Sequence, residues 1–332
     1  MGKFNYNLYT AISSMTQENL HQSLKAFLTK RYGKDKVVEM EEHFLFAIGN
    51  TPICLVAHLD TVHKRLPHDI FFDQSKNVIW SPQGIGADDR AGVYAILELV
   101  KRGLRPYVLF TWDEETGGYG ATQAGQLLKD LGCVDFCIEL DRRGQNDSVY
   151  YECDNPDFEE YINSFGFETA IGSFSDICFI CPEWGVAGVN LSIGYENEHT
   201  LQEILRVDWM MNTIDKVEKI CYNKSYDKEK FKFIQLEYKA SSFDEYDWSS
   251  FCSTSYTSKS SVKSNGYDFA YTSSYTKKPE QACDCCSQYV PGYKIIPIDE
   301  MNICERCYDL NYNYCTKCSS IFNKYDNCEC EQ

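Results

Sequence analysis

Four short apolar runs, each stopping at a carboxylate, a histidine or a glycine, constrain the fold of this chain more than any other feature. ICLVAHLD (53–60), YVLFTWDEE (107–115), DFCIELD (135–141) and VAGVNLSIG (186–194) have the length and β-rich content of buried strands. Between and after them DRAGVYAILELVKRG (89–103), ATQAGQLLKDLG (121–132) and LQEILRVDWMMNTIDKVEKICYN (201–223) read as helices. Thr16 to Tyr32 reads as a first helix, with Leu20, Leu24, Phe27 and Leu28 at helical spacing behind a Thr16 cap. Alternating strands and helices predict an α/β fold, a mixed central sheet flanked by helices. Open α/β sheets bind ligands outside the carboxyl ends of their strands, so the residues closing these runs are the candidates for chemistry.

They are of one kind. His58 and Asp60 end the first run on the same side of the chain, Glu114 and Glu115 follow the second, and Asp141 closes the third. Asp88 lies in the glycine-flanked loop GIGADDRAG, and His199 in SIGYENEHT. A lone HxD says little, but several unpaired carboxylates at successive strand ends would be costly without a cation. Two zinc ions roughly 3.5 to 4 Å apart need oxygen and imidazole ligands, a bridging carboxylate and open positions. Asp88 would be the bridge, with His58 and Asp141 on one ion and Glu115 and His199 on the other. Asp60 would accept the second N–H of the His58 ring and fix its tautomer. Glu114 would remain free to move a proton.

At these residues the sequence resembles the zinc exopeptidase superfamily, which includes the aminopeptidase families M28 and M42 and the M20 peptidases and aminoacylases. AHLDTV (57–62), GADDRAGV (86–93) and EETGGYGA (114–121) look most like M20 sequences, and the match spans roughly residues 50 to 205. The resemblance implies a peptidase fold with two co-catalytic zinc ions on His58, Asp88, Glu115, Asp141 and His199, and Glu114 as general base. It implies hydrolysis of a peptide or amino-acid amide, as an aminopeptidase or as an N-acyl amino acid or dipeptide hydrolase of M20 type. A catalytically silent zinc-binding interaction protein is the reading from another class, and the intact Glu114 argues against it. M20 enzymes insert a lid of about a hundred residues before the last histidine. Only 57 residues separate Asp141 from His199 here, so the compact arrangement looks more like M28. GSFSDICFI (172–180) is similar to an M28 and M42 segment near the substrate, which leaves Ser175 and Asp176 open between pocket lining and a helix cap.

Other residues take plainer readings. GIGADD starts like a nucleotide loop, but Asp89 would repel phosphate. His63 and His68 read as loop histidines without a metal, and Arg142 and Arg143 as solvated strand-end charges. The formal charge of −17 argues against a nucleic-acid partner, and no apolar run is long enough to cross a membrane. The N-terminus lacks the basic-then-apolar layout of a secretion signal, so a cytoplasmic location is expected.

Residues 1–222 are thus expected to form the catalytic domain and 223–280, rich in Ser, Tyr and Lys, a polar linker. Nine of 17 cysteines crowd into the remaining segment, 281–332. Cys283, Cys286, Cys304 and Cys307 form CxxC pairs 17 residues apart, a recognised zinc spacing. Cys315, Cys318, Cys328 and Cys330 would close a second site, either separately or cross-braced with the first. Two structural zinc ions are therefore expected, with or without a protein partner for the module.

Overall fold

The computed structural model describes residues 3–130 and 134–236, together with six short strands between residues 280 and 323. Ala240 and its neighbours in the polar segment lie outside the described residues, as do the expected zinc cysteines Cys283, Cys286, Cys307, Cys315, Cys318, Cys328 and Cys330. Cys304 ends a strand of which only the backbone is described. The six strands form three antiparallel pairs: Glu280–Ala282 with Tyr289–Pro291, Ile295–Ile298 with Met301–Cys304, and Tyr312–Tyr314 with Ile321–Asn323.

In the first unit the strands are β1 (Val37–Met40), β2 (Phe44–Ala47), β3 (Thr51–His58), β4 (Phe71–Asp73), β5 (Val78–Trp80), β6 (Pro106–Thr111), β7 (Phe136–Arg142), β8 (Asp147–Val149), β9 (Glu168–Thr169), β10 (Ala187–Ser192), β11 (Tyr195–Glu196) and β12 (Ile204–Arg206). The helices are α1 (Tyr6–Ser13), α2 (Gln17–Tyr32), α3 (Ala87–Lys101), α4 (Tyr119–Leu128), α5 (Pro156–Asn163), α6 (Ile177–Trp184) and α7 (Val207–Tyr222). Eight strands make the central sheet in the order β1-β2-β6-β3-β7-β10-β8-β9, and its middle, β6-β3-β7-β10, is parallel.

The four apolar runs are these four central strands, because a parallel strand is buried on both faces and reads as continuous hydrophobe. Along β3, Ile53, Leu55 and Ala57 face one core while Cys54 and Val56 face the other. The first core packs the sheet against α1, α2, α3, α5 and α7, and the second packs it against α4 and α6. Thr16 caps α2 as expected, accepting a hydrogen bond from the Asn19 N–H.

Two expectations change. The helix read from residue 201 begins at Val207, since Ile204–Arg206 pairs with β5 in a second, four-stranded sheet ordered β11-β12-β5-β4. Leu201, Ile204 and Leu205 fit either period, and a short apolar run cannot choose between them. The boundary at residue 222 also moves. Residues 223–236 stay on the domain, where Phe231 is buried with its ring 5.1 Å from Phe158 and 5.6 Å from Phe136, and Tyr226 stacks on it at 5.4 Å. Asn155 holds the segment by donating to the Lys230 and Lys232 carbonyls at 2.7 and 2.8 Å.

Deleting one buried Phe from such a cluster costs about 3–5 kcal/mol, a large share of the roughly 5–15 kcal/mol that keeps a domain folded. A chain ending at Tyr222 is therefore expected to melt at a markedly lower temperature than one ending at Lys239, with circular dichroism as the measurement. Equal melting temperatures would return residues 223–236 to the linker.

Candidate metal centre

Each ligand-type residue is delivered by a different element to the carboxyl end of the parallel strands. His58 is the last residue of β3 and fully buried, and Asp141 is the next-to-last residue of β7. Asp88 lies near the start of α3, after Gly86, whose φ of 60° is in the left-handed region that favours glycine. The Asp88–Asp89 peptide bond is cis. Asp89 accepts from the His58 and Gly92 N–H groups at 3.3 and 2.8 Å. A Cβ on Gly92 would meet the Asp89 carboxylate at 2.5 Å and the Leu140 carbonyl at 2.4 Å, so α3 can lie this close to β7 only with glycine there. Glu114 and Glu115 sit in the turn between β6 and α4, and their backbone N–H groups donate to Asp60 at 3.2 and 3.0 Å. His199 comes from the β11–β12 connection, with φ 62° and its side chain 52% exposed.

These side chains converge. Asp88 Oδ1 is 3.0 Å from His58 Nε2, and Asp88 Oδ2 is 3.1 Å from His199 Nε2. Asp141 Oδ1 lies 3.6 Å from the same His58 nitrogen, while Glu115 Oε1 lies 3.1 Å from His199 Nε2. The other His58 nitrogen, Nδ1, faces Asp60 at 3.2 Å. Donor atoms of His58, Asp88 and Asp141 lie within 4.8 Å of one another, as do those of Asp88, Glu115 and His199 and those of His58, Glu114 and Glu115. Asp88 is common to the first two groups and Glu114 belongs only to the third.

So much carboxylate in so little space distorts proton affinities. Burial, with Asp141, Asp176 and Glu139 adding to it, pushes the Glu114 carboxyl up to about 10. Burial and the Asp88 charge push Asp141 up to about 8 and Glu115 to about 7. The hydrogen bond to Asp88 leads in raising His199 to about 9. Burial disfavours an imidazolium at His58, yet Asp141, Asp60 and Asp88 outweigh it and hold that ring well above its ordinary range. Asp88 is also desolvated, but its two histidine partners keep it ionised. Glu115 Oε1 is buried without a hydrogen bond, 3.1 Å from the His199 ring. An orphaned buried oxygen among protonation-frustrated carboxylates and imidazoles suits divalent cations, which would replace those protons.

Beneath the cluster lies a polar layer that spacing in the sequence did not reveal. The Asn190 side chain accepts from the Asp141 N–H and donates to the Asp141 carbonyl, at 3.0 and 2.8 Å, and Tyr195 OH donates to Asp141 Oδ1 at 3.0 Å. Ser175 and Asp176 are fully buried, so neither lines an open pocket. Ser175 donates to Glu139 and Thr111 to Asp176, and Asp176 makes no side-chain cap to α6. Arg142 is half-buried and pairs with Asp147 at 3.4 Å, whereas Arg143 is exposed, as expected of a solvated strand-end charge, and pairs with Glu198 at 2.8 Å. His68 is exposed, and among the described residues neither it nor His63 joins a candidate metal group.

No family model matches the sequence, and no curated protein matches it either. Solved structures do. The chain is similar to an aminopeptidase PepT from Bacillus cereus ATCC 10987 (TM-score 0.52, 15% identity, covering 65% of this chain and 96% of that one). It is similar to a tripeptidase from Staphylococcus aureus subsp. aureus Mu50 (TM-score 0.51, 15% identity, 65% and 96% covered). A TET aminopeptidase from the marine sediment archaeon Thaumarchaeota archaeon SCGC AB-539-E09 gives a TM-score of 0.52 at 14% identity, with 67% and 97% covered. At these identities the likeness establishes a shared fold, the mixed α/β sheet with its flanking helices.

Proposed function

We propose that residues 3–236 form a two-zinc hydrolase of the aminopeptidase type. The observation that carries this reading is the placement of Asp88, whose two carboxylate oxygens face two different imidazoles at 3.0 and 3.1 Å. His58 and Asp141 would hold one ion with it, and Glu115 and His199 the other. When bound, the ions polarise the scissile carbonyl and acidify a water. The protein groups do the rest. Glu114 takes the proton from the attacking water and passes it to the leaving amine. Asp60 accepts the Nδ1 proton of His58, fixing the ring with Nε2 toward the cluster. Asn190 and Tyr195 hold Asp141 from its backbone and its carboxylate.

A free amino terminus on the substrate is favoured over an N-acylated one. Arg142 and Arg143, the cations beside Asp141 in the chain, are each engaged by a carboxylate, while the cluster itself is built largely of the carboxylates Asp88, Glu114, Glu115 and Asp141. An ammonium group is better matched to these surroundings than a substrate carboxylate is. The solved structures that share the fold and are named aminopeptidase or tripeptidase agree with this reading. The cysteine-rich segment is proposed to carry two further, structural zinc ions.

Purified full-length protein, incubated with aminoacyl anilides and with their N-acetylated forms, is expected to cleave the free-amine series and to lose that activity to a chelator. Preferential cleavage of the acetylated series would favour the M20-type deacylase instead, and no cleavage with zinc bound would favour a binding protein. Chelator-insensitive cleavage would end the zinc proposal. Among the described residues no helix is long and apolar enough to cross a membrane.

A further inference from the structure

His63, read in the sequence as a plain loop histidine, leads to a carboxylate that the catalytic reading does not use. Its Nε2 is 2.9 Å from Glu203 Oε2, and the Glu203 side chain is wholly buried. The same oxygen accepts the Gly86 N–H at 2.8 Å, and the other, Oε1, accepts the Asp88 N–H at 2.9 Å. Three donors from two loops thus end on one carboxylate. Glu203 stands four residues beyond His199 in the β11–β12 connection, and its own N–H donates to the Thr200 carbonyl at 3.2 Å, tightening that connection into a turn.

We infer that Glu203 is a positioning residue that sets the metal spacing, by fixing the Asp88 loop against the segment that carries His199. This rests on the two-zinc reading. Asp88 and His199 belong to the same candidate ligand group, and Asp88 is shared with the other, so their relative position decides whether the second ion finds its ligands. The loop needs an outside anchor. Asp88 has φ −82° and ψ 100°, which is not helical, and Gly86 is in the left-handed region, so α3 does not impose the conformation of residues 86–88. The His199 side chain is half exposed and its φ is 62°, so packing alone does not hold it. A carboxylate accepts from all three donors. Glutamine offers one acceptor oxygen, and its NH2 would oppose whichever N–H it faced.

The test is zinc binding by full-length protein stripped of metal, comparing wild type, Glu203→Gln and Asp88→Ala. All carry the same cysteine-rich segment, so differences between them count only the ions of the first unit. Glu203→Gln is expected to retain the fold by circular dichroism and to bind one zinc near wild-type affinity. The other should be held about 10- to 100-fold more weakly, the range for lost partners that orient metal ligands. Its kcat should fall at limiting zinc with little change in KM and recover in excess zinc, a rescue that a purely structural defect would not show.

If Glu203→Gln does not fold, Glu203→Asp replaces it, keeping the charge with a shorter reach and an expected intermediate loss. Wild-type zinc number and affinity in a folded variant would overturn the inference, as would failure of both variants to fold. Wild type that binds no more zinc than Asp88→Ala would instead end the two-zinc reading itself, whatever Glu203 does.

Discussion

Glu114→Gln is expected to keep its zinc and to lose about 10²- to 10⁴-fold in turnover, the span usual for a missing general base. The amide preserves the shape of the side chain and removes its ability to take a proton. Glu114 shares a donor group with His58 and Glu115 but belongs to neither set built on Asp88, so metal content should not change. Burial, with Asp141, Asp176 and Glu139 adding to it, pushes the carboxyl up to about 10, so this position favours a neutral side chain and the amide supplies one. The variant should consequently be about as stable as wild type. The measurements are kcat, zinc by atomic absorption and the denaturation midpoint. A variant with its zinc and wild-type turnover would place the base elsewhere.

Asp88→Ala is expected to be more severe because it removes a ligand from both sets at once. Two histidines would then each lose the carboxylate now about 3 Å away, and both donor groups built on Asp88 would lose their shared member. Zinc in the first unit should fall toward zero and activity with it, and excess zinc should not restore either. Glu115→Ala, which touches one set only, should lose about one ion. Equal loss in the two variants would show that Asp88 is not shared.

How much of this was legible in the sequence follows from which residues speak through spacing. His58, Asp141 and the Glu114–Glu115 pair stand out because they close apolar strands, where a charged residue has no structural reason to be. Asp88 and His199 stand out through the short motifs around them. Glu203, Asn190, Tyr195, Asp89 and Glu139 do not. Each earns its position by a hydrogen bond to a group 15 to 117 residues away, such as Glu203 to Gly86 or Asn190 to Ser175, and such pairings leave no local period. The second sheet was hidden for a related reason: β4, β5 and β12 have three residues each and β11 two, too few for alternation to show. α1 lies in a stretch whose Tyr9 and Ile12 are core residues, but at eight residues it has little more than two turns in which to display a face.

The two rims of the eight-stranded sheet bear on how the protein behaves when crowded. At one rim β1 carries Glu39, held by His21 and Lys25 of the overlying α2, and at the other β9 is two exposed residues, Glu168 and Thr169. An edge that is short or charged is a poor template for a further strand. The long apolar strands that would propagate a fibre, β3, β6, β7 and β10, are all interior, with neighbours on both sides. Growth by edge-to-edge pairing is thereby resisted at both rims of this sheet without any help from the ligands of the site.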